Sequence, residues 1–160
     1  MTPGSSVAIV DLEPAHLPQL MEVVRLNDQT LPQMMCADVT RWLEAGRPPQ
    51  ERYFSGIAAG EPIAMTGFRP DPWGVKNISW LVWLYVHPAW KRRGVARSLF
   101  THAQNVLRQQ GCRKVYLDVG NEIQHRAAIA FHEADGFVRE GYLRDYWAEG
   151  EDFLVFGKRL

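Results

Sequence analysis

The chain has few of the residues that build disulfide frameworks, membrane spans or metal sites. Only Cys36 and Cys112 are cysteines among 160 residues, so we expect reduced, buried thiols rather than a disulfide framework. The five histidines show no metal-ligand spacing, which predicts no bound metal. No apolar run reaches transmembrane length, and residues 1–6 are small and polar, unlike a signal peptide. We therefore predict a cytoplasmic protein that does not bind membranes.

An excess of either charge is also missing. The chain has 18 basic and 18 acidic residues and a formal net charge of zero, which argues against a nucleic-acid partner. The glycine motifs of dinucleotide-binding and P-loop proteins are absent. What is present is an ordinary globular composition, 46% hydrophobic and 22% charged. The length predicts a single domain over residues 1–160.

Hydrophobic periodicity predicts an α/β domain. The predicted strands are Val7–Asp11, Tyr53–Ala58, Ile63–Phe68, Ile78–Val86, Lys114–Val119, Phe137–Trp147 and Phe153–Lys158. The predicted helices are Pro14–Arg25, Asp38–Ala45, Ala96–Gln110 and Glu122–Ala134. This order describes a mixed sheet with a central, helix-linked parallel pair. Strict alternation along the strand ending at Val86 would place Trp83 and Tyr85 on the face opposite Val82.

The junction between the strand ending at Val86 and the following helix carries the most informative motif. Free N-terminal amides of a helix point at an anion. Gly94 lets the backbone approach that anion closely. Guanidinium groups suit phosphate oxygens, and three arginines stand here: Arg92, Arg93 and Arg97. The junction therefore predicts a phosphate-binding turn.

Two segments resemble the GCN5-related N-acetyltransferase (GNAT) superfamily. Lys91-Arg92-Arg93-Gly94-Val95-Ala96 resembles that family's acyl-CoA pyrophosphate loop, which reads Gln or Arg, two residues, Gly, one residue, Gly or Ala. A second family signature is matched at Ala128, Phe131, Gly136 and Phe137. His125 and His132 stand where the family usually has Asn and Tyr, and the segment around His132 is similar to aminoglycoside and phosphinothricin acetyltransferases.

The resemblance implies a mostly antiparallel twisted sheet with helices on both faces. Acetyl-CoA, the cosubstrate, would splay the central parallel pair between the strands ending at Val86 and Val119. The acetyl group would pass by direct attack to a primary amine: a small amine, an aminoglycoside-like compound or a protein N-terminus. Dimers are common among such proteins, so a homodimer is compatible with the resemblance. The residues assigned to the cosubstrate are Leu84, Tyr85, Val86, Arg92, Arg93, Gly94, Val95, Ala96, Arg97, Ser98, Asn121 and Phe131.

The catalytic assignments stay open between alternatives. His132 is a candidate general acid for the leaving thiolate because an imidazole titrates near neutrality, but it could equally be a packing residue. Tyr142 and Tyr146 are the reserve candidates, since their strand is expected beside the helix that carries His132. Asn121 also begins a segment with the pattern of a helix capping box.

No carboxylate lies in the strand Ile78–Val86 to act as a general base. Asp118, Asp38 and Glu44 are the acids expected nearest the cleft or the acceptor wall, and a solvated surface role is the alternative for each. Two functional alternatives also stand beside the acetyltransferase. One is a non-catalytic acyl-CoA-binding sensor, and the other is an anion-binding interaction module.

Overall fold

A computed structural model describes residues 6–160; the prediction that no signal peptide is present falls largely on residues 1–5, outside the described residues. Within 6–160 the chain forms seven strands and four α-helices in the predicted order. The strands are β1 (Ala8–Asp11), β2 (Arg52–Ala58), β3 (Glu61–Pro70), β4 (Ile78–Val86), β5 (Lys114–Val119), β6 (Val138–Ala148) and β7 (Glu151–Arg159). The helices are α1 (Leu17–Asn27), α2 (Pro32–Glu44), α3 (Val95–Gln109) and α4 (Arg126–Ala134).

The strands follow the order β1-β2-β3-β4-β5-β7-β6 in one sheet. β4 and β5 are parallel, with register positions from Ile78↔Lys114 to Trp80↔Tyr116. The β1–β2, β2–β3, β5–β7 and β6–β7 pairs are antiparallel. The predicted mixed, mostly antiparallel sheet with a parallel pair is confirmed. Among residues 6–160 no helix is long and apolar enough to cross a membrane.

The chain divides into two compact units. The first contains the described residues up to Pro70 together with Leu81–Val106. Its core lies where α1 and α2 pack on β2 and β3. Eight buried side chains form it: Leu12, Leu20, Val24, Met35, Val39, Trp42, Tyr53 and Met65. The helices contribute because their apolar residues recur at spacings of three and four.

The second unit contains Asp71–Trp80 and Leu107–Leu160. Its buried side chains include Val115 and Leu117 of β5, Ile129 of α4, Leu154 and Phe156 of β7, and Phe137 between α4 and β6. Trp80 stacks on Tyr116 with ring centroids 5.3 Å apart. That residues 1–160 form a single domain stays a prediction.

Two predicted helix starts are wrong. α2 begins at Pro32 and not at Asp38, because Pro at the first helical position is well suited to start a helix; Asp38 therefore lies inside α2. α4 begins at Arg126 and not at Glu122, because the Asn121 side chain accepts from the Ile123 amide at 2.8 Å and forms a turn. The predicted thiol burial holds for Cys112, whereas Cys36 is only partly buried.

Candidate functional site

The turn between β4 and α3 is exposed and shaped by left-handed backbone. Arg92 and Gly94 have φ of 61° and 78°, a conformation that glycine adopts without cost. A Cβ built on Gly94 meets no heavy atom within 4 Å. The Ser98 amide donates to the Gly94 carbonyl at 3.0 Å and closes the first turn of α3. The backbone here is therefore open to a ligand from the side of Gly94.

Positive charge surrounds this turn. Lys91, Arg92, Arg93 and Arg97 are all exposed, and the Arg93 guanidinium lies 5.1 Å from the centroid of the Trp90 ring. Val95 is buried and anchors the helix start, whereas Ala96 is half-buried and Ser98 exposed. Exposed cations beside a helix N-terminus favour an anion. The structure thus brings the predicted phosphate-loop residues together on one turn.

The second half of β4, from Val82 to Val86, contains a left-handed residue in mid-strand. Trp83 has φ of 57°, a genuine outlier for a bulky side chain. Val82, Trp83 and Tyr85 all pack against the core formed by α1 and α2. The predicted alternation, with Val82 opposite Trp83 and Tyr85, is therefore wrong, because a left-handed residue turns two consecutive side chains to one face.

Three side chains from other elements bind this segment, which includes the predicted cosubstrate contacts Leu84, Tyr85 and Val86. Thr66 on β3 donates to the Val82 carbonyl at 3.2 Å, and Asn27 at the end of α1 donates to the Val86 carbonyl at 3.0 Å. The Trp83 indole donates to Asp38 at 3.0 Å. Sequence analysis missed Thr66 and Asn27. In the sequence, Thr66 could be noticed only as a polar residue in an apolar strand, and Asn27 only as a polar residue at a helix end.

His132 lies on α4 and is only 7% exposed. Its ring contacts Phe131 and Phe137, with centroids 5.4 and 5.9 Å away. Burial lowers the pKa of His132 to about 4, against the opposing charge of Asp135. The imidazole is therefore neutral near pH 7, and it holds no acidic imidazolium proton to donate.

Asn121 and Phe131 were both assigned to the cosubstrate. The Asn121 amide group donates to the Gly150 carbonyl at 3.2 Å, so this side chain ties the start of the α4 segment to the β6–β7 turn. The predicted capping box is wrong, since His125 and not Asn121 precedes the first residue of α4. Phe131 is half-buried on α4, which leaves part of its ring available to a ligand.

The β6–β7 hairpin carries exposed aromatic rings over a rigid polar turn. Tyr146 and Trp147 are 55% and 58% exposed, and both contact Phe153, with centroids 4.9 and 5.5 Å away. The Tyr142 hydroxyl donates to Asp152 at 2.8 Å. Hydrogen bonds from the Asp145 amide and then from Tyr142 lower the pKa of Asp152. Asp152 therefore shapes the hairpin, in keeping with a polar turn.

The three candidate bases differ in environment. Asp118 and Glu44 are exposed, in keeping with solvated carboxylates. The Asp38 side chain is 22% exposed and pairs with Arg69 at 3.4 Å, in addition to accepting from the Trp83 indole. Both contacts reach the same carboxylate oxygen, Oδ2. The structure therefore places Asp38 in a supporting network.

Comparisons with known proteins agree with these features. The model of the acetyltransferase (GNAT) family matches residues 19–137. The chain is 29% identical over 133 residues to the phosphinothricin N-acetyltransferase of Streptomyces viridochromogenes, covering 78% of this chain and 66% of that protein. The chain thus spans just under two thirds of that relative's length.

Two solved structures share the fold. A GNAT-family protein from Desulfovibrio desulfuricans superposes with a TM-score of 0.89 at 18% identity, covering 96% of this chain and 99% of the other. The PaiA N-acetyltransferase from Thermoplasma acidophilum, in complex with coenzyme A, superposes with a TM-score of 0.74 at 18% identity, covering 97% and 99%. At such identities the likeness shows the fold, whereas the matched family model covers most of the sequence. The chain belongs to the acetyltransferase (GNAT) family.

Proposed function

We propose that this protein is an acetyl-CoA-dependent N-acetyltransferase that acts on a primary amine. The observation that carries the proposal is the turn from Arg92 to Ser98, where exposed arginines and an open glycine precede α3. This turn lies inside the segment that matches the family model. Its chemistry suits a diphosphate, since backbone amides and guanidinium groups bind phosphate oxygens.

Several residues would hold the cosubstrate. The diphosphate would accept from the amides of residues 94–97, since the Ser98 amide already donates to the Gly94 carbonyl, and the free space above Gly94 fits that approach. The arginines at 92, 93 and 97 would supply charge. Peptide groups from Leu84 to Val86 would bind the pantetheine and polarise the thioester carbonyl. Asn121 and Phe131 remain proposed contacts.

The reaction transfers one acetyl group and releases one proton overall. A free alkylamine has a pKa of about 10, so the bound ammonium first loses a proton to water. The neutral nitrogen attacks the thioester carbon and forms the C–N bond. The tetrahedral intermediate then breaks the C–S bond, and its nitrogen loses the extra proton to water. The departing thiolate takes a proton from the general acid and leaves as a thiol, and the general acid regains its proton from solvent.

We assign the proton for the thiolate to Tyr146. His132 is neutral near pH 7 because burial lowers its pKa to about 4. The Tyr142 hydroxyl already donates to Asp152. Tyr146 remains among the three candidates, with its ring fixed by Trp147 and Phe153. Its phenol hydroxyl supplies one O–H donor.

The acceptor is proposed as a class, a primary amine. The relative from Streptomyces viridochromogenes is named for phosphinothricin, a small amine substrate, and we extend only the class, an amine, to this chain. A thiol-release assay with acetyl-CoA and several dozen amines, including short peptides with free N-termini, tests it. Amine-dependent release of CoA thiol is the expected result.

A non-catalytic acyl-CoA sensor is the second candidate, because a buried, neutral His132 stands where the family usually has a tyrosine. The same assay separates the candidates. A sensor binds acetyl-CoA saturably in calorimetry but releases no thiol with any amine. A protein that only binds anions shows no saturable acetyl-CoA binding.

A further inference from the structure

We propose that Asp38 is a positioning residue for acetyl transfer, and this rests on the proposed function. Its carboxylate holds the Trp83 indole and so fixes the left-handed residue in β4. That residue sets the direction of the peptide groups between Val82 and Val86. Asp38 would thus act on the reaction through the backbone, without touching a substrate.

Trp83 has an unusual backbone conformation for its place in a strand. A φ of 57° in mid-strand is costly for an L-residue with a large side chain, and it persists only where the surroundings hold it. Glycine would adopt the same φ freely. A tryptophan here indicates that its side chain makes a contact on which the local backbone depends.

The side chain of Trp83 contacts Asp38. The Trp83 Nε1–H donates to Asp38 Oδ2 at 3.0 Å, across 45 residues of chain. Asp38 sits within α2, whose buried residues Met35 and Val39 belong to the core against which the Trp83 ring packs. Arg69 approaches the same oxygen at 3.4 Å and orients the carboxylate. The indole is therefore held by packing on its ring and by one charge-assisted hydrogen bond at its edge.

The contact between Trp83 and Asp38 also bears on the backbone of β4 from Val82 to Val86. Thr66 and Asn27 bind the carbonyls of Val82 and Val86, which fixes the two ends of the segment. Between them, the Asp38 hydrogen bond fixes the left-handed residue that interrupts the alternation of the strand. Donors that polarise a carbonyl act best when already oriented before the reaction begins. If Trp83 were no longer held, the peptide groups between Val82 and Val86 would be able to rotate. The phosphate-binding turn before α3 would still bind the cosubstrate.

The experiment is a double-mutant cycle between Asp38→Leu and Trp83→Phe. Trp83→Phe keeps an aromatic ring and removes only the N–H donor. Each single variant should lower kcat about tenfold, part of the effect of losing one oriented donor, with calorimetric affinity for CoA unchanged. The double variant should lose no more than either single variant, because both remove one hydrogen bond.

Matched variants separate this role from others. Asp38→Asn keeps a carbonyl acceptor and should restore most of kcat, whereas a general base would lose its function. Arg69→Met removes the other partner of Asp38 and should lower kcat less than Asp38→Leu. Thermal unfolding of each variant shows that it is folded, and the N–H resonance of the Trp83 indole, assigned by its loss in Trp83→Phe, should shift in Asp38→Leu.

Each contrary outcome has its own meaning. Additive losses in the cycle, or an Asp38→Asn variant as slow as Asp38→Leu, overturn the positioning role while acetyl transfer stands. An indole resonance that does not shift in Asp38→Leu removes the hydrogen bond and the proposal with it. A wild-type protein that neither binds nor uses acetyl-CoA overturns the proposed function, and Asp38 then has no reaction to assist.

Discussion

The turn before α3 and the face of α4 around His132 contrast in exposure and in charge. The turn presents Arg92, Arg93 and Gly94 to solvent, and its shape comes from neighbouring backbone bonds. His132 is enclosed by Phe131 and Phe137, and its burial removes its charge. Both segments carry signatures of the same family. Only the first keeps its charged side chains exposed to solvent.

Basic residues therefore behave differently in the turn before α3 and on the α4 face. A guanidinium stays charged, so the chemistry of an exposed arginine can be predicted from the residue type alone. An imidazole changes its protonation with its environment. We therefore expect the turn to govern cosubstrate affinity and the α4 face to govern stability.

The largest expected effect concerns the general acid. Tyr146→Phe should lower kcat about a hundredfold, within the range of general acid catalysis, with little change in acetyl-CoA affinity. Tyr142→Phe is the matched control and should cost less, and His132→Phe should leave kcat near the wild-type value. Steady-state kinetics with the best amine provides the measurement. A kcat lost in His132→Phe and kept in Tyr146→Phe would return the acid role to His132.

The second prediction concerns pH and stability. The pKa of His132 is about 4 in the folded chain, against about 6.5 in an unfolded one. Between these values the unfolded chain binds the extra proton, so the folded state loses stability as pH falls through this window. From about pH 7 to about pH 5 this loss is about 2 kcal/mol. Urea titrations should show that His132→Phe lacks this part of the pH dependence; identical dependence in both proteins contradicts it.

The third prediction returns to the turn. Gly94→Val adds a branched side chain at a φ of 78°, which a β-branched residue disfavours and which places methyl groups in the open space needed by a diphosphate. Acetyl-CoA binding should weaken about tenfold or more, a change of about 1.4 kcal/mol. Calorimetry on the folded variant measures it. Unchanged affinity would separate this turn from the cosubstrate.

The smallest expected effect is that of single charges. Arg92→Ala and Arg93→Ala should each weaken CoA binding by a few fold, more at low salt than at high salt, because exposed charges are screened. Pantetheine thioesters without the diphosphate are the control ligand and should bind both variants as they bind wild type. Equal losses for the two ligands would mean that these arginines support the fold.

The sequence by itself determined the order of elements, the strand bounds of β4 and β5, and the turn with its arginines. These features depend on neighbours within a few residues, where apolar period, proline, glycine and charge act directly. In α3, Leu99, Ala103 and Leu107 recur every four residues and are all buried. The family resemblance rested on two short motifs, residues 91–96 and 128–137.

Only the tertiary structure decided the rest. The Asp38–Trp83 hydrogen bond joins residues 45 positions apart, and no local period carries that pairing. The left-handed φ of Trp83 breaks the alternation that a regular strand would show. The protonation of His132 depends on how completely the rings and strands of its unit enclose it. Long-range packing sets desolvation and backbone strain, so a residue's identity alone did not reveal whether it would be a catalyst, a support or part of the core.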